Sequence, residues 1–157
     1  SSQGNPADYL ADFSGWHEDL QILMRQANEC FRWGLFDRDP MAHWSKGPVT
    51  LLGDACHPML PFMAQGAVMA IEDAYTLAQC LRANSDSTLA LSHYESLRRD
   101  RTATVQGMSR ANIEFFHNPD VENLEERLNG HRESHLWLYG FDVTAQSFAA
   151  NSNAISP

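Results

Sequence analysis

Apolar residues recur with two different spacings in the first forty positions of the chain, and the two spacings predict two kinds of element. Between residues 6 and 28 they recur every three or four positions, which predicts one or two amphipathic helices interrupted near Ser14 and Gly15. Residues 30–37 alternate and are rich in aromatic side chains, which predicts a strand that ends at the turn beginning with Asp37.

A short apolar run over residues 49–52 follows Gly47 and Pro48 and predicts a buried strand. Its apolar character on both faces is typical of a parallel sheet covered by helices. Residues 66–81 then carry small and apolar side chains at helical spacing, which predicts a helix that can approach a sheet or a ligand ring closely.

The rest of the chain is predicted to be largely helical. A long helix over residues 89–117, capped by Ser87 or Thr88, is followed by a further helical segment over residues 121–138. Residues 149–157 are predicted to form a loose tail. The chain is thus expected to be mostly α-helical with a few short strands.

Composition excludes several kinds of partner. The 157 residues are 43% hydrophobic and 20% charged, which is typical of a globular domain. The formal net charge of -9 disfavours a nucleic acid or an anionic membrane as partner, because both require a basic surface. No apolar run approaches the roughly 20 residues that span a bilayer, and the three cysteines lack paired spacing, so a cytoplasmic protein with reduced thiols is expected.

Candidate chemistry is concentrated where the predicted strand meets the predicted helix. Asp54 follows the strand after Gly53, and a carboxylate there can accept hydrogen bonds from sugar hydroxyls. The helix opens at Gly66, where unpaired backbone N–H groups can face an anionic ligand. The pair predicts a site for a polyol attached to an electron-rich ring.

Several segments extend this pattern along most of the chain: Asp37-Arg38-Asp39-Pro40, Gly53-Asp54-Ala55-Cys56-His57-Pro58, Pro61-Phe62-Met63-Ala64-Gln65-Gly66, Ala70-Ile71-Glu72-Asp73-Ala74, Arg98-Arg99 with Arg101-Thr102, and Trp137-Leu138-Tyr139-Gly140-Phe141-Asp142. Together they resemble the second flavin motif and the C-terminal part of single-component FAD-dependent aromatic hydroxylases. The salicylate hydroxylase and 6-hydroxynicotinate 3-monooxygenase group is the most similar.

The resemblance implies an α/β parent with a Rossmann-like FAD-binding domain and a substrate domain. The Gly-x-Gly-x-x-Gly fingerprint that begins that domain does not occur in this sequence, so the chain is expected to be the C-terminal portion of the parent. Residues 1–46 would end the substrate domain and form the return connection. Residues 47–157 would complete the FAD-binding domain with its closing helices, and the isolated fragment is expected to be inactive.

The resemblance also implies roles for individual residues in binding the cofactor. Asp54, preceded by Gly53, would hydrogen-bond a hydroxyl of the ribityl chain of FAD. The helix start would place its N–H groups at the pyrimidine edge of the flavin, with Ala64 standing where the family more often has glycine. The residues of this helix start are Ala64, Gln65, Gly66, Ala67 and Val68.

Two residues would lie nearer the reaction, and both are predicted as catalytic. The carbonyl of Pro61 would lie beside the substrate hydroxyl, whereas His57 would either relay a proton or hold the loop rigid. Phe62 stands where some relatives have a histidine, which argues against 6-hydroxynicotinate as the substrate. Glu72 and Asp73 are interpreted as architectural residues that suit the helix dipole.

Three further patterns are given structural interpretations. His131 and His135 have no evident third ligand, so no metal site is predicted. The sequence around Ser109 mimics a nucleophile elbow but lies inside a helical pattern. The arginines of the long helix are interpreted as a solvated or salt-bridged face rather than a phosphate site: Arg98, Arg99 and Arg101.

The leading hypothesis is a flavin-dependent monooxygenase that hydroxylates a salicylate-like aromatic acid with FAD, NAD(P)H and O2. One alternative is a non-catalytic helical module that needs a missing N-terminal half or forms a homo-oligomer. Another is a flavoenzyme of the same fold that performs epoxidation or dehydrogenation. The sequence leaves open which aromatic acid is used and whether NADH or NADPH is the donor.

Overall fold

A computed structural model describes residues 1–118 and 132–149, with side chains from residue 134 onward in the second range. The described chain is mostly α-helical with a few two-residue strands, which confirms the predicted fold class. It divides into two compact units, Ser1–Leu35 and a second that begins at Phe36. The predicted boundary at residues 46 and 47 falls inside the second unit, and the assignment of the two parts to a substrate domain and an FAD domain stays a prediction.

The first unit is a helix pair with a short ladder. Helix α1 covers Pro6–Asp12 and α2 covers Glu18–Arg25, and the predicted break between them is confirmed by Gly15, whose φ is +82°. Strands β1 (Ser2–Gln3) and β2 (Phe31–Arg32) pair antiparallel. The predicted strand over residues 30–37 is therefore too long, because the strand that it meets is only two residues in length.

A tight hairpin precedes the candidate site in the second unit. Strand β3 (Ser45–Lys46) pairs antiparallel with β4 (Val49–Thr50) across Gly47 and Pro48. Gly47 has a φ of +58°, which the first central position of a two-residue hairpin turn requires. The prediction of a buried parallel strand is therefore wrong for the described chain: the nearest partner is the adjacent strand, and Val49 is 64% exposed.

Two long helices form the body of the second unit. Helix α3 (Gly66–Ala83) packs along α4 (Ser87–His117). The predicted cap at Ser87 or Thr88 is corrected to Asp86, whose carboxylate accepts hydrogen bonds from two backbone N–H groups at 2.8 and 3.2 Å. Among the described residues, no helix is long and apolar enough to cross a membrane.

A third helix of this unit, Arg132–Tyr139, overlaps the end of the helix predicted over residues 121–138. Several predicted features lie outside the described residues: residues 121–131 of that helix, which include His131, and residues 150–157 of the tail.

Apolar side chains fill the interface in two clusters. The first is built on Trp44, Cys56, Cys80, Ala90 and Tyr94. The second is built on Met69, Val105 and Leu138, with three further methionines against it. The clusters join α3 and α4 to the loop between β4 and α3, so that the loop is supported from beneath by both helices.

Charged residues also lie inside this interface. Arg98 and Asp73 are fully buried, and the Nε of Arg98 donates to Oδ1 of Asp73 at 2.7 Å. Arg101 is 8% exposed and makes a two-pronged ion pair with Glu72 at 2.8 and 2.9 Å. Of the two interpretations of the arginine face, the salt-bridged one holds for Arg98 and Arg101; a solvated face is wrong for both, because facing carboxylates on α3 draw them inward.

Replacing Arg98 by methionine should lower the free energy of unfolding by about 3–5 kcal/mol, because the Asp73 carboxylate would remain buried without its cation. Arg99→Met is the matched control, since its side chain is 40% exposed, and it should cost less than about 1 kcal/mol. Urea unfolding of the two variants measures both values. Equal losses would contradict the assignment of Arg98 as the buried partner.

Candidate functional site

The residues predicted to bind a cofactor line a groove of about 570 Å³ between the loop and α3. Six of the eight contribute to its wall: Gly53, Asp54, Pro61, Ala64, Gly66 and Ala67. Gln65 does not line the groove and is only 6% exposed, and Val68 also lies away from it. Leu52, Met59, Leu60 and Ala70 complete the lining, so the groove is apolar apart from one carboxylate and exposed backbone. We call this the loop groove.

Asp54 faces the start of α3 across the loop groove. It lies in a single 3₁₀ turn, Gly53–Ala55, which Gly53 enters with a φ of +62°. A Cβ placed on Gly66 would lie 3.9 Å from Oδ1 of Asp54, so the carboxylate and the helix start are close neighbours. No described side chain caps α3, so its first N–H groups remain available for a ligand.

This arrangement combines two kinds of recognition. An ionised carboxylate accepts hydrogen bonds from hydroxyl groups, and a helix start carries about half a positive charge. Small side chains on α3 leave room for a flat ring beside the backbone, because only Gly66, Ala67 and Ala70 of that helix line the groove. The loop groove therefore suits a ligand with hydroxyls at one end and an electron-rich ring at the other.

A second cavity of about 420 Å³ adjoins the loop groove and shares Pro61 and Ala64 with it. Its walls are mostly aromatic, and we call it the aromatic pocket. The rings of Phe62 and Phe116 lie 6.0 Å apart. The full lining is Pro61, Phe62, Met63, Ala64, Asn112, Phe115, Phe116, His135 and Tyr139.

Polar side chains of α4 hold the loop that separates the two cavities. Three of them donate to every second carbonyl of this loop: Gln106 to Pro58 at 2.9 Å, Ser109 to Leu60 at 2.5 Å, and Asn112 to Phe62 at 3.2 Å. Spacings of three along a helix place such side chains on one face. Ser109 is thus a buried structural donor, in agreement with the rejection of a nucleophile elbow.

Pro61 lies at the junction of the two cavities, at the start of the 3₁₀ turn Pro61–Met63. Its carbonyl accepts the N–H of Ala64 at 3.1 Å. A carbonyl has two lone pairs, so one acceptor position remains for a ligand. Ala64 ends the turn in the left-handed conformation with φ 52° and ψ 30°, which is the backbone that the family's glycine would adopt readily.

His57 lies beneath the loop rather than in either cavity. It is 1% exposed, and its Nε2 donates to Oδ2 of Asp73 at 2.5 Å. Of the two predicted roles, this position favours holding the loop over relaying a proton. Cys56, His57 and Asp73 lie within 4.8 Å of one another, but burial raises the pKa of the Cys56 thiol to about 12 and Asp73 already pairs with Arg98, so a metal is poorly matched there.

Asp73 is the electrostatic centre of this region. Burial raises the pKa of its carboxyl, but hydrogen bonds from His57 and Arg98 outweigh that effect, and the pKa lies below its usual value of 3.8. The sequence predicts Asp73 as an architectural residue that suits the helix dipole, but it does not identify the residues that Asp73 holds. Its pairing with Arg98 joins residues 25 positions apart, and local sequence patterns carry no signal for such a contact.

The sequence also does not predict that residues of α4 line the aromatic pocket. Asn112 and Phe116 stand four apart on α4, a spacing that places both on one helix face. The sequence therefore shows that they are neighbours, but not that this face meets the loop around Pro61.

A family model for the FAD binding domain matches residues 21–110, which is more than half of the chain. The chain belongs to the FAD-binding domain family. Its resemblance to FAD-dependent aromatic hydroxylases is confirmed by curated proteins that are similar in sequence to the chain. It is 42% identical over 146 residues to 3-amino-4-hydroxybenzoate 2-monooxygenase of Streptomyces cremeus, covering 89% of the chain and 37% of the relative. It is 42% identical over 133 residues to 6-hydroxynicotinate 3-monooxygenase of Pseudomonas fluorescens, covering 83% and 31%.

Solved structures of related flavoproteins are also similar to the chain. A salicylate hydroxylase substrate complex matches with a TM-score of 0.80 and 30% identity, over 97% of this chain and 39% of the other. HpxO of Klebsiella pneumoniae complexed with FAD and uric acid matches with a TM-score of 0.69 and 29% identity, over 87% and 37%. The chain thus spans well under half the length of the proteins that it matches.

Replacing Ala64 by glycine should raise the free energy of unfolding of the chain by about 0.5–1 kcal/mol, because the left-handed backbone at this position strains any residue with a Cβ. Ala78→Gly, in the interior of α3, is the matched control and should lower it by about 1 kcal/mol. Urea unfolding measures both, and a loss of stability in Ala64→Gly would contradict the left-handed assignment.

The chain should lose stability as the pH falls below 3.8, because the folded Asp73 carboxyl resists a proton that the unfolded one accepts. The stabilisation is fully present above that pH and disappears toward the lower folded pKa. Asp73→Asn should remove up to about 1.4 kcal/mol per pH unit of this slope. Urea unfolding at several acidic pH values, with sucrose present to support the variant, measures it. Equal slopes in the two proteins would contradict the lowered pKa.

Proposed function

We propose that this chain forms part of the FAD and substrate sites of a flavin-dependent monooxygenase that hydroxylates a phenolic or other aromatic acid, with NAD(P)H as reductant and O2 as oxygen source. The observation that carries the proposal is the junction of two cavities of different chemistry at Pro61 and Ala64. One offers a carboxylate and a helix start, and the other offers aromatic walls.

The loop groove fits the flavin end of FAD. Asp54 would accept hydrogen bonds from the ribityl hydroxyls, and the N–H groups at the start of α3 would face the electron-rich pyrimidine edge of the ring. Oδ1 of Asp54 lies 3.9 Å from the position that a Cβ on Gly66 would occupy, so the two groups could bind adjacent parts of one ligand. When bound, FAD supplies the redox and oxygen chemistry, and the protein contributes orientation and electrostatics.

The aromatic pocket fits the substrate ring. Its phenylalanines and methionine would shield a bound ring from water, and Pro61 offers a carbonyl at the boundary with the loop groove. No arginine or lysine occurs among its described lining residues, so the substrate carboxylate would be bound by other groups. Phe62 provides no proton acceptor, which is our reason to disfavour 6-hydroxynicotinate as the substrate.

The alternative of a non-catalytic module that needs a partner also has an observation in its favour. Large apolar side chains are exposed in both units, among them Trp33 at 70%, Phe36 at 83% and Ile71 at 70%. Exposed apolar surface of this kind is typical of interaction sites. Flavin bound to the protein would favour the monooxygenase, and its absence would favour the non-catalytic module.

Asp54→Asn should weaken FAD binding about tenfold, because an amide replaces the charged acceptor for the ribityl hydroxyls. Titration of the purified chain with FAD, followed by flavin fluorescence, measures the affinity. Asp100→Asn is the matched control, since that carboxylate is 90% exposed and lines neither cavity, and it should leave the affinity unchanged. No flavin uptake by the wild-type chain, or equal uptake by both variants, would contradict the assigned site.

Hydroxylation is tested on the chain co-expressed with the region of the Streptomyces cremeus relative that lies outside the match. NAD(P)H oxidation by this complex should rise when a phenolic acid is added, and the Asp54→Asn complex should lose that response. A complex that assembles without flavin or activity would favour the interaction module instead.

A further inference from the structure

We propose that Asp73 is a positioning residue of the FAD site: through Gly53 and His57 it fixes the place of the Asp54 carboxylate against the start of α3. The inference rests on the proposed function, because Asp54 is assigned there to the ribityl hydroxyls. Asp73 itself lines neither the loop groove nor the aromatic pocket, so it acts through other residues.

One oxygen of Asp73 holds both ends of the segment that carries Asp54. The N–H of Gly53 donates to Oδ2 at 3.1 Å, and Nε2 of His57 donates to the same atom at 2.5 Å. Within the segment, the N–H groups of Cys56 and His57 return to the carbonyl of Gly53 at 2.9 and 3.0 Å. The turn is therefore closed internally and fastened at both ends to a single buried atom.

The other oxygen of Asp73 is held from the opposite side. The Nε of Arg98 donates to Oδ1 at 2.7 Å, and both residues are fully buried. Charged hydrogen bonds in a dry environment are strong and directional. The carboxylate has its position set by α4, so the loop is fastened to a fixed point.

Helix α3 connects this fixed point to the loop groove. Asp73 lies seven residues after Gly66, or about 10 Å along the helix axis. The same rigid helix thus presents its start to the ligand and holds the turn that presents Asp54. A change at Asp73 would alter the separation of the two ligand-binding groups without touching the ligand.

Glu72 belongs to the same group of buried ions as Asp73 and Arg98 but does not hold the turn that carries Asp54. Glu72 lies 2.7 Å from Nη1 of Arg98 and also pairs with Arg101. Glu72 makes no described hydrogen bond to residues 53–57. A change at Glu72 therefore disturbs the same buried ions while leaving the turn attached, which makes it the matched control.

The test uses His57→Phe as the main variant, because phenylalanine keeps a ring in the buried position but removes the donor to Asp73. His57→Gln keeps an N–H donor and serves as the rescue, and Asp73→Asn is the second variant. Glu72→Gln is the control for a merely structural effect. All proteins are measured well below their melting temperatures, with melting temperature recorded separately.

Two readouts are taken on each purified chain. Amide hydrogen exchange at residues 54–57 reports whether the turn is held, and it should quicken about tenfold in His57→Phe and Asp73→Asn but not in Glu72→Gln. FAD affinity should fall about tenfold in the same two variants, return toward the wild-type value in His57→Gln, and stay within about twofold in Glu72→Gln. Together these results would support the positioning role.

Two results would overturn it. Unchanged exchange at the turn in both His57→Phe and Asp73→Asn would show that Asp73 does not hold it. Equal losses of affinity in His57→Phe and Glu72→Gln would show a structural effect alone. If the wild-type chain takes up no FAD, the proposed function fails separately, and the exchange rates still decide whether Asp73 holds the turn.

Discussion

The buried contact between Asp73 and Arg98 is the constraint on which the rest of the second unit depends. It crosses the interface of α3 and α4 at a point where neither residue reaches solvent. A buried ion pair contributes little net stability compared with apolar residues of the same size, but removing one partner alone is costly. The pair is therefore better understood as a device that fixes one helix register. A slip of α4 along α3 would leave two buried charges unpaired.

Once this register is set, α4 fixes the loop between β4 and α3. Three side chains of α4 donate to the carbonyls of alternate loop residues: Gln106, Ser109 and Asn112. These hydrogen bonds form only when α4 has one position along its axis relative to the loop. The loop lacks regular secondary structure apart from two 3₁₀ turns, so its polar backbone needs such external partners. Its rigidity thus comes from donors on α4, from Asp73 on α3 and from the hydrogen bonds within its own turns.

The sequence predicted helices better than strands, for physical reasons. The periodicity of α3 and α4 extends over many turns, so both were recognised, whereas β2 and β4 are two residues long and take their pairing from whatever lies beside them. Asp54 and Gly66 were identified because a strand-loop-helix motif fixes them locally. The aromatic wall at Phe116 and the link from Asp73 to Arg98 depend on contacts across more than twenty positions. Such contacts are decided by packing.

Ala64 shows how the two cavities are tied together. Its left-handed backbone reverses the chain between the 3₁₀ turn at Pro61 and the start of α3, and it lines both cavities. A glycine would adopt this conformation without strain, so the alanine is held there by its surroundings. The carbonyl of Phe62 is bound by Asn112 on one side, and α3 is anchored through Asp73 on the other. The strained residue sits between two fixed points, and the distance between the proposed flavin and substrate positions is consequently a property of α3 and α4 packed together.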